Sequence, residues 1–298
     1  MAEVSVVIPA FNAAGTIAET LASLTAQTFV DFEALVVDDG SCDATASIAS
    51  SNADPRIRVI TTANAGVAAA RNHAMSHATG SLVAFLDADD LWEPGKLERQ
   101  VEALRLRPEA GVCVTGALRV GIDSRPLGAM PLAHPDDLTR ALLFQSMIVG
   151  CISSGVVRKH LLDAIGGFNP AFSQCADWDL WLRLSLVTQF EIIDLPLVSY
   201  RSSTGNMSSD VTLLERDTFS VLRAFFAADT SAAYRSLQAR VYAAHWMVCS
   251  GAYLHHRRYR DSLRCLSAGI RADSRSARRP LGLPKRWLSR LGRQRRHY

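Results

Sequence analysis

The stretch that most constrains this chain is Leu82–Leu86, five apolar residues in a row that stop at Asp87-Ala88-Asp89-Asp90. A run so short and so apolar reads as a strand buried on both faces, which is the habit of a parallel sheet. Open α/β sheets bind their ligands at the carboxyl ends of such strands. Three carboxylates crowded there repel one another unless positive charge sits among them. A divalent cation with the phosphates it bridges would supply that charge, because Mg²⁺ is usually held by one or two carboxylates plus substrate phosphates. The competing reading is a helix cap, with Asp87 or Asp89 preceding a helix that starts near Pro94.

The chain of 298 residues is long enough for one large domain or two small ones. No apolar run approaches the length of a membrane span. Met1-Ala2-Glu3 leads directly into apolar sequence, with no basic region of a secretory signal. The six cysteines are scattered without a CxxC pair, the pattern of reduced cytosolic thiols rather than a zinc site. The net charge of +3 hides an asymmetry: 14 Lys/Arg against two acids from Leu254 to Tyr298 give +12, and the remainder carries −9. A basic segment of that kind is a solvated arm or has an anionic partner.

Strand and helix patterns alternate through the first hundred residues. Val4–Ile8, ended by Pro9, reads as a strand, 15–27 as a helix and 32–37 as a second strand ended by Asp38-Asp39-Gly40-Ser41. Asp43 is positioned to cap a helix through Ile48, 56–60 reads as a third strand and 66–78 as an alanine-rich helix. This alternation implies a doubly wound, mostly parallel, Rossmann-like sheet. Its strand ends would bring Pro9-Ala10-Phe11, Asp38-Asp39 and Asp87-Ala88-Asp89 to one crevice. No GxGxxG or GxxxxGK[ST] follows a strand, so the phosphate cradles of dehydrogenases and P-loop enzymes are excluded.

These segments together resemble a family 2 glycosyltransferase of the GT-A fold: VSVVIPAFNAAGTIAETLASLTAQTF, FEALVVDDGSCDAT, NAGVAAARNHAM, GSLVAFLDADDLWEPGKLERQV, AIGGFNPAF, DWDLWLRL and YRSSTGNMS, in family order from residue 4 to about 208. The resemblance implies an inverting transferase that uses a nucleotide-diphosphate sugar and Mn²⁺ or Mg²⁺. It places Pro9, Ala10 and Phe11 in the nucleotide pocket, Asp39 on the base, Arg71 near the nucleotide or its phosphates, Asp87 near the ribose, and Ala88 beside the donor. It places Asp89 at the metal and diphosphate, whereas Asp90 holds the loop. Asp177, opening the DWDLWLRL helix, corresponds to the general base, although Ala176 stands where the family often has glutamate. Asp179 and Trp181 read as structural. Trp178 reads as core or as a sugar platform, and Arg201 and Asn206 as groups that approach the diphosphate or close a lid. Ser203 stands where relatives often carry histidine, and no Gln-x-x-Arg-Trp motif of a processive synthase is present.

On these readings residues 1–210 form the catalytic domain, with a nucleotide half to about 110 and an acceptor half from 111 to 210. Residues 211–298 form a helical C-terminal region with a basic tail. In the acceptor half, 111–115 and 150–157 read as strands, 136–147 and 158–165 as helices, and 116–135 as an irregular loop beside the acceptor. Three helices are expected at 213–228, 232–254 and 259–270. Trp287, Leu288 and Leu291, set among basic residues, have the spacing of an interfacial helix on anionic lipid, which would suit a lipid-linked or glycan acceptor and a cytoplasmic enzyme at the inner face of the membrane. Nothing in the sequence matches a nucleic-acid-binding motif. Two other functions compete with a transferase: a non-catalytic nucleotide-sugar binder, and a HAD-type phosphatase, which also puts DxD after an apolar strand but usually has a Thr or Val where Leu91 stands.

Overall fold

The apolar runs become strands because they are the only segments that can fill the centre of a sheet covered on both faces. In the computed structural model, which describes residues 2–121, 123–146, 149–202 and 210–274, the chain divides into two units, Met1–Asn206 and Met207–Tyr298. The first unit begins with β1 (Val4–Ala10), α1 (Ile17–Thr25), β2 (Phe32–Asp38), α2 (Thr45–Ser50), β3 (Ile57–Thr61), α3 (Val67–Ser76) and β4 (Leu82–Phe85). It continues with β5 (Leu91–Trp92), α4 (Lys96–Leu106), β6 (Ala110–Val120), β7 (Pro126–Ala129), α5 (Leu138–Phe144), β8 (Gly155–Arg158), α6 (Lys159–Ile165), α7 (Ala176–Ser185) and β9 (Gln189–Arg201). Neighbouring strands follow the order β3-β2-β1-β4-β8-β6-β9-β5, with β7 pairing β6. Strands β3, β2, β1 and β4 are mutually parallel, as are β6 and β9, while β8 runs antiparallel to both of its neighbours. The core joins the inner faces of these strands to Ile17, Leu21 and Leu24 of α1 and to Leu97, Val101 and Leu104 of α4.

The register supplies the site. Ala10 lies opposite Asp38, and Val7 lies opposite Phe85. The carboxyl ends of β1, β2 and β4 therefore come level on one edge, as the spacing of the sequence implies. Several boundaries differ from expectation. Strand β1 runs through Pro9, which lies beyond the last β1–β4 pair, where a missing N–H is tolerated. Asp43 is not the N-cap of α2, which is Ala44, yet its carboxylate accepts from the Thr45 backbone N–H at 3.0 Å.

The larger correction lies at 116–135. This segment is not an irregular loop: β6 continues to Val120 and folds back through β7 as a hairpin. Gly116 and Ala117 break the alternating pattern, and the structure shows why a glycine stands there. A Cβ on Gly116 would lie 3.0 Å from the Leu195 carbonyl, where β9 shifts register against β6. The expected strand at 150–157 is instead a single helical turn, Ile152–Ser154, leading into the shorter β8.

The second unit contains α8 (Val211–Ala227), a 3₁₀ segment at Asp229–Leu237, α9 (Gln238–His255) and α10 (Tyr259–Ala272). Asp210 caps α8 by accepting from the Thr212 and Leu213 N–H groups. The expected helix from residue 232 begins only at Gln238. Helices α9 and α10 form a hairpin in which Ser250 and Ser262 exchange hydroxyl-to-carbonyl hydrogen bonds at 2.9 Å. Among the described residues no helix is long and apolar enough to cross a membrane. Residues 285–293, read above as an interfacial helix, lie outside the described residues.

One core group makes stability depend on pH. Lys96 is fully buried, its ammonium 3.9 Å from the centre of the Trp92 ring and 2.6 Å from Gln100 Oε1. Burial pushes its pKa down to about 7. The unfolded chain keeps this proton up to about pH 10.4, so between those values the unfolded state binds more protons and stability rises with pH. Denaturant unfolding should show wild type gaining about 2 kcal/mol more than Lys96→Met between pH 7 and 9. Parallel stability curves for the two proteins would refute a neutralised Lys96.

Candidate active site

The crevice forms where β1, β2 and β4 end and α7 begins. Its centre is Arg71, on α3, whose guanidinium is buried and bridges two acids. Nη1 donates to Asp177 Oδ1 at 2.6 Å, and Nη2 donates to Asp87 Oδ1 at 2.7 Å. Ala68, Ala70 and Ala74 bury the same helix with little bulk, which lets Arg71 sit low under the strand ends. The Phe168 ring lies 5.1 Å from the guanidinium carbon, a cation–π contact, and Asn72 fixes that ring's backbone with hydrogen bonds to the Phe168 N–H and carbonyl. The two carboxylates hold Arg71 firmly protonated. Asp177 keeps 36% of its side chain open, so one edge faces the crevice while the other is occupied by Arg71. Desolvation pushes its pKa up, and the Arg71 charge opposes that rise.

The three acids after β4 are sorted by their surroundings. Asp87 is held by Arg71, and its N–H donates to Ser153 Oγ at 3.0 Å. Asp90 is fully buried and accepts from Ser153 Oγ at 2.5 Å and from the Arg201 N–H at 3.1 Å. Burial, then the charges of Asp89 and Asp87, push its pKa well up. It locks the loop, as read from the sequence. Asp89 is half-buried and forms no ion pair with any described residue. Burial and the neighbouring Asp87 charge raise its pKa to about 6. This carboxylate is short of positive charge and offers hard oxygen donors, which fits a divalent cation shared with phosphate oxygens. Among the described residues no group of three His, Cys, Asp or Glu is arranged for a metal.

The other sequence-derived residues fall around this centre. Pro9 and Ala10 are buried, and the Ala10 carbonyl accepts from the Asp39 N–H at 2.8 Å. Phe11 is 51% exposed and directly follows β1. Asp39 is buried and accepts from the Ala65 and Gly66 N–H groups at 2.8 and 2.9 Å, so it clamps the loop before α3. The Ala88 carbonyl accepts from both Thr16 and Thr20 hydroxyls, which tie α1 to the acidic loop.

Two more of the sequence-derived residues are tied into the structure. Trp178 takes the first of its two readings, core: it is buried, and its indole N–H donates to the Leu142 carbonyl at 2.8 Å. Arg201 is buried and ion-paired to Glu19, its backbone is tied to Asp90, and its charge is felt at Asp89. A guanidinium buried at the end of β9 requires a carboxylate partner, and α1 provides one. Asp179 pairs with Arg183 and Trp181 lies in the core, both as expected. Ser203 and Asn206 lie outside the described residues. Ser153, Thr16 and Thr20 were missed, because a serine in an apolar run and two threonines on a helix carry no signal that distinguishes them from ordinary polar positions.

The Glycosyl transferase family 2 model matches residues 5–165 of this chain. The chain is 31% identical over 210 residues to UDP-Glc:alpha-D-GlcNAc-diphosphoundecaprenol beta-1,3-glucosyltransferase WfgD of Escherichia coli, covering 70% of this chain and 80% of that protein. Other curated relatives are spanned over 19% to 63% of their own length. Among solved structures, S. aureus TarS 1–349 in complex with UDP-GlcNAc superposes with a TM-score of 0.68 at 19% identity, covering 91% of this chain and 81% of that one. The mannosyltransferase PcManGT from Pyrobaculum calidifontis, in complex with GDP-Man and Mn²⁺, gives 0.59 at 21% identity, covering 99% and 81%. At these identities the two structures speak for the fold alone.

The loop's dependence on Ser153 is testable. Ser153→Ala removes the donor to buried Asp90 and the acceptor for the Asp87 N–H, and should cost about 2 kcal/mol of unfolding free energy. Urea titration of the two proteins checks this, and a difference within error of zero would show that the loop is held by other contacts.

Proposed function

The chain belongs to glycosyl transferase family 2, and from that premise we propose an inverting transferase that moves a sugar from a nucleotide-diphosphate donor to an acceptor hydroxyl, with Asp177 as general base. The observation that carries this reading is the Asp87–Arg71–Asp177 bridge. It joins residues 106 positions apart in sequence at the carboxyl edge of the sheet, with one edge of Asp177 open. The donor's nucleotide lies along Pro9, Ala10, Phe11 and Asp39, its ribose and diphosphate along Asp87, Ala88 and Asp89. In this reading catalysis belongs to residues 1–210, and the half from about 111 receives the acceptor.

The step needs one proton acceptor and one stabilised leaving group. The acceptor oxygen bonds to the anomeric carbon as its proton passes to the outer oxygen of Asp177. The bond from the anomeric carbon to the diphosphate breaks on the opposite face, which inverts the centre, and the electron pair leaves with the diphosphate. A divalent cation, Mn²⁺ or Mg²⁺, held by Asp89 and the diphosphate would neutralise the charge that develops there. Arg71 fixes the Asp177 carboxyl, and its charge opposes the rise in pKa that burial causes there. The names of the relatives support a nucleotide-sugar donor and a role in cell-surface glycan synthesis. That of the Escherichia coli relative supports a lipid-linked acceptor, for which the basic segment 285–293 is the part of the chain assigned to anionic lipid.

A thermal-shift panel of nucleoside diphosphates and nucleotide sugars, with and without Mn²⁺, tests the donor site. One nucleotide should raise the melting temperature in a metal-dependent way, and Asp89→Ala should abolish that shift. Asp177→Asn should keep the shift while transfer falls by about 10²- to 10⁴-fold. Equal turnover in Asp177→Asn and wild type would sink its role as base. Removing the Arg71 charge raises the Asp177 pKa, so Arg71→Met should move the acidic limb of the pH–rate profile to higher pH. An unmoved limb would mean that Arg71 does not act on the base.

A further inference from the structure

The second unit contains a cleft that its own packing does not require. Helix α8 turns the stripe Thr212, Glu215, Arg216, Phe219 and Arg223 to one side, at helical spacing. Helix α9 answers with Tyr242, Trp246 and Tyr253, and α10 with Asp261 and Arg264. A seam between helices normally carries aliphatic residues along such stripes. Here one phenylalanine stands among charged residues, and the helices enclose an open cleft of about 470 Å³, a size typical of small-ligand sites.

The lining has a definite chemistry. Four arginines, 216, 223, 258 and 264, face it with only Glu215 and Asp261 as lining acids. Arg264 is spent on Glu215, with two hydrogen bonds of 2.8 and 2.6 Å, and Arg258 on Asp261 at 2.9 Å. Arg216 folds onto Asp217 beside it. Arg223 is exposed and, among the described residues, has no carboxylate partner, donating only to Ser220 Oγ at 2.8 Å. The aromatic side is equally specific. Trp246 stacks on buried Phe219 at 3.8 Å between ring centres, and both Trp246 and Tyr242 stay half-buried instead of sinking into the core.

We propose that this cleft binds an anionic saccharide, its carboxylate or phosphate on Arg223 and its ring against Tyr242 and Trp246. A guanidinium with no carboxylate partner among the described residues is suited to bidentate recognition of such an anion. A rigid aromatic pair suits the C–H face of a pyranose. The chain's own last segment does not complement it in charge, since residues 275–298 carry nine Lys/Arg and no Asp or Glu. The choice of a saccharide rests on the transferase reading: the cleft would hold part of the glycan acceptor or product, and it names that glycan as acidic.

Titration calorimetry on the full chain tests the site with trigalacturonate, neutral maltotriose and inorganic phosphate. Trigalacturonate should bind, more weakly at high salt. Maltotriose and phosphate should each bind at least about tenfold more weakly, because each keeps only one of the two interactions. Arg223→Gln and Trp246→Leu should each weaken trigalacturonate about tenfold with the donor-induced shift unchanged, Arg223→Gln should leave the melting temperature unchanged as well, and Arg223→Lys should recover part of the loss. Failure of trigalacturonate to bind at millimolar concentration, binding unaffected by both variants, or phosphate alone binding as well, would each overturn the proposal. A wild-type chain that binds trigalacturonate through Arg223 but shows no donor shift would overturn the transferase mechanism and leave the cleft standing.

Discussion

The first unit depends on one buried cation. Arg71 sits where water cannot solvate it, and a guanidinium there is tolerated only if carboxylates surround it. Asp87 and Asp177 do so, one from the end of β4 and one from the first turn of α7. The requirement works in both directions. Two acids this close to each other and to Asp89 would repel strongly without Arg71 between them. The pair therefore fixes where α7 must begin relative to the central strands, and with it which edge of Asp177 remains open.

Around that cation, one short acidic motif divides into three chemically different groups. Asp87 is neutralised by Arg71, and Asp90 is sealed under Ser153 and the Arg201 backbone. Asp89 has no ion-pair partner among the described residues: burial and the Asp87 charge raise its pKa, and the more distant charges of Arg201 and Arg71 only partly oppose that rise. Position in the sequence does not separate them, since all three lie within four residues; depth and partners do. The Thr16 and Thr20 hydroxyls on the Ala88 carbonyl hold the middle of the motif, so Asp89 is presented by a loop fixed on both sides.

The central strands were legible because burial on both faces writes itself as an unbroken apolar run, in Val4–Ile8 and Leu82–Leu86 alike. The meeting of their ends with Asp38, Asp39 and Asp87 followed from a parallel sheet, and Asp177 came from resemblance to the family and not from periodicity. The outer part of the sheet was not legible. Gly116 reads as a loop residue until the β9 carbonyl that needs the space is seen beside it. Arg201 and Trp178 were left with two readings each for a common reason: their types are frequent in sugar sites as well as in cores, and only the partners, Glu19 and the Leu142 carbonyl, show what each holds in the structure. Ser153 had no chance of being found, because its importance lies entirely in the two backbone-distant groups it joins.

The helical unit follows a different logic. Its tightest seam is the α9–α10 hairpin, where small residues let the helices approach: Gly269 lies against Ala243 and Trp246, and Ser250 against Ser262. That seam leaves α8 with less packing to do along the stripe that faces the cleft. Phe219 alone anchors the stripe, while Glu215 ties Arg264 of α10 back across it. Arg216, Arg258 and Arg264 are offset by Asp217, Asp261 and Glu215, whereas Arg223 has no carboxylate partner among the described residues, an unbalanced charge and a cost that a stable three-helix arrangement has no need to carry. An arrangement that retains such a cost, with a large indole held half in water beside it, has the electrostatic form of a site whose missing partner is an anion.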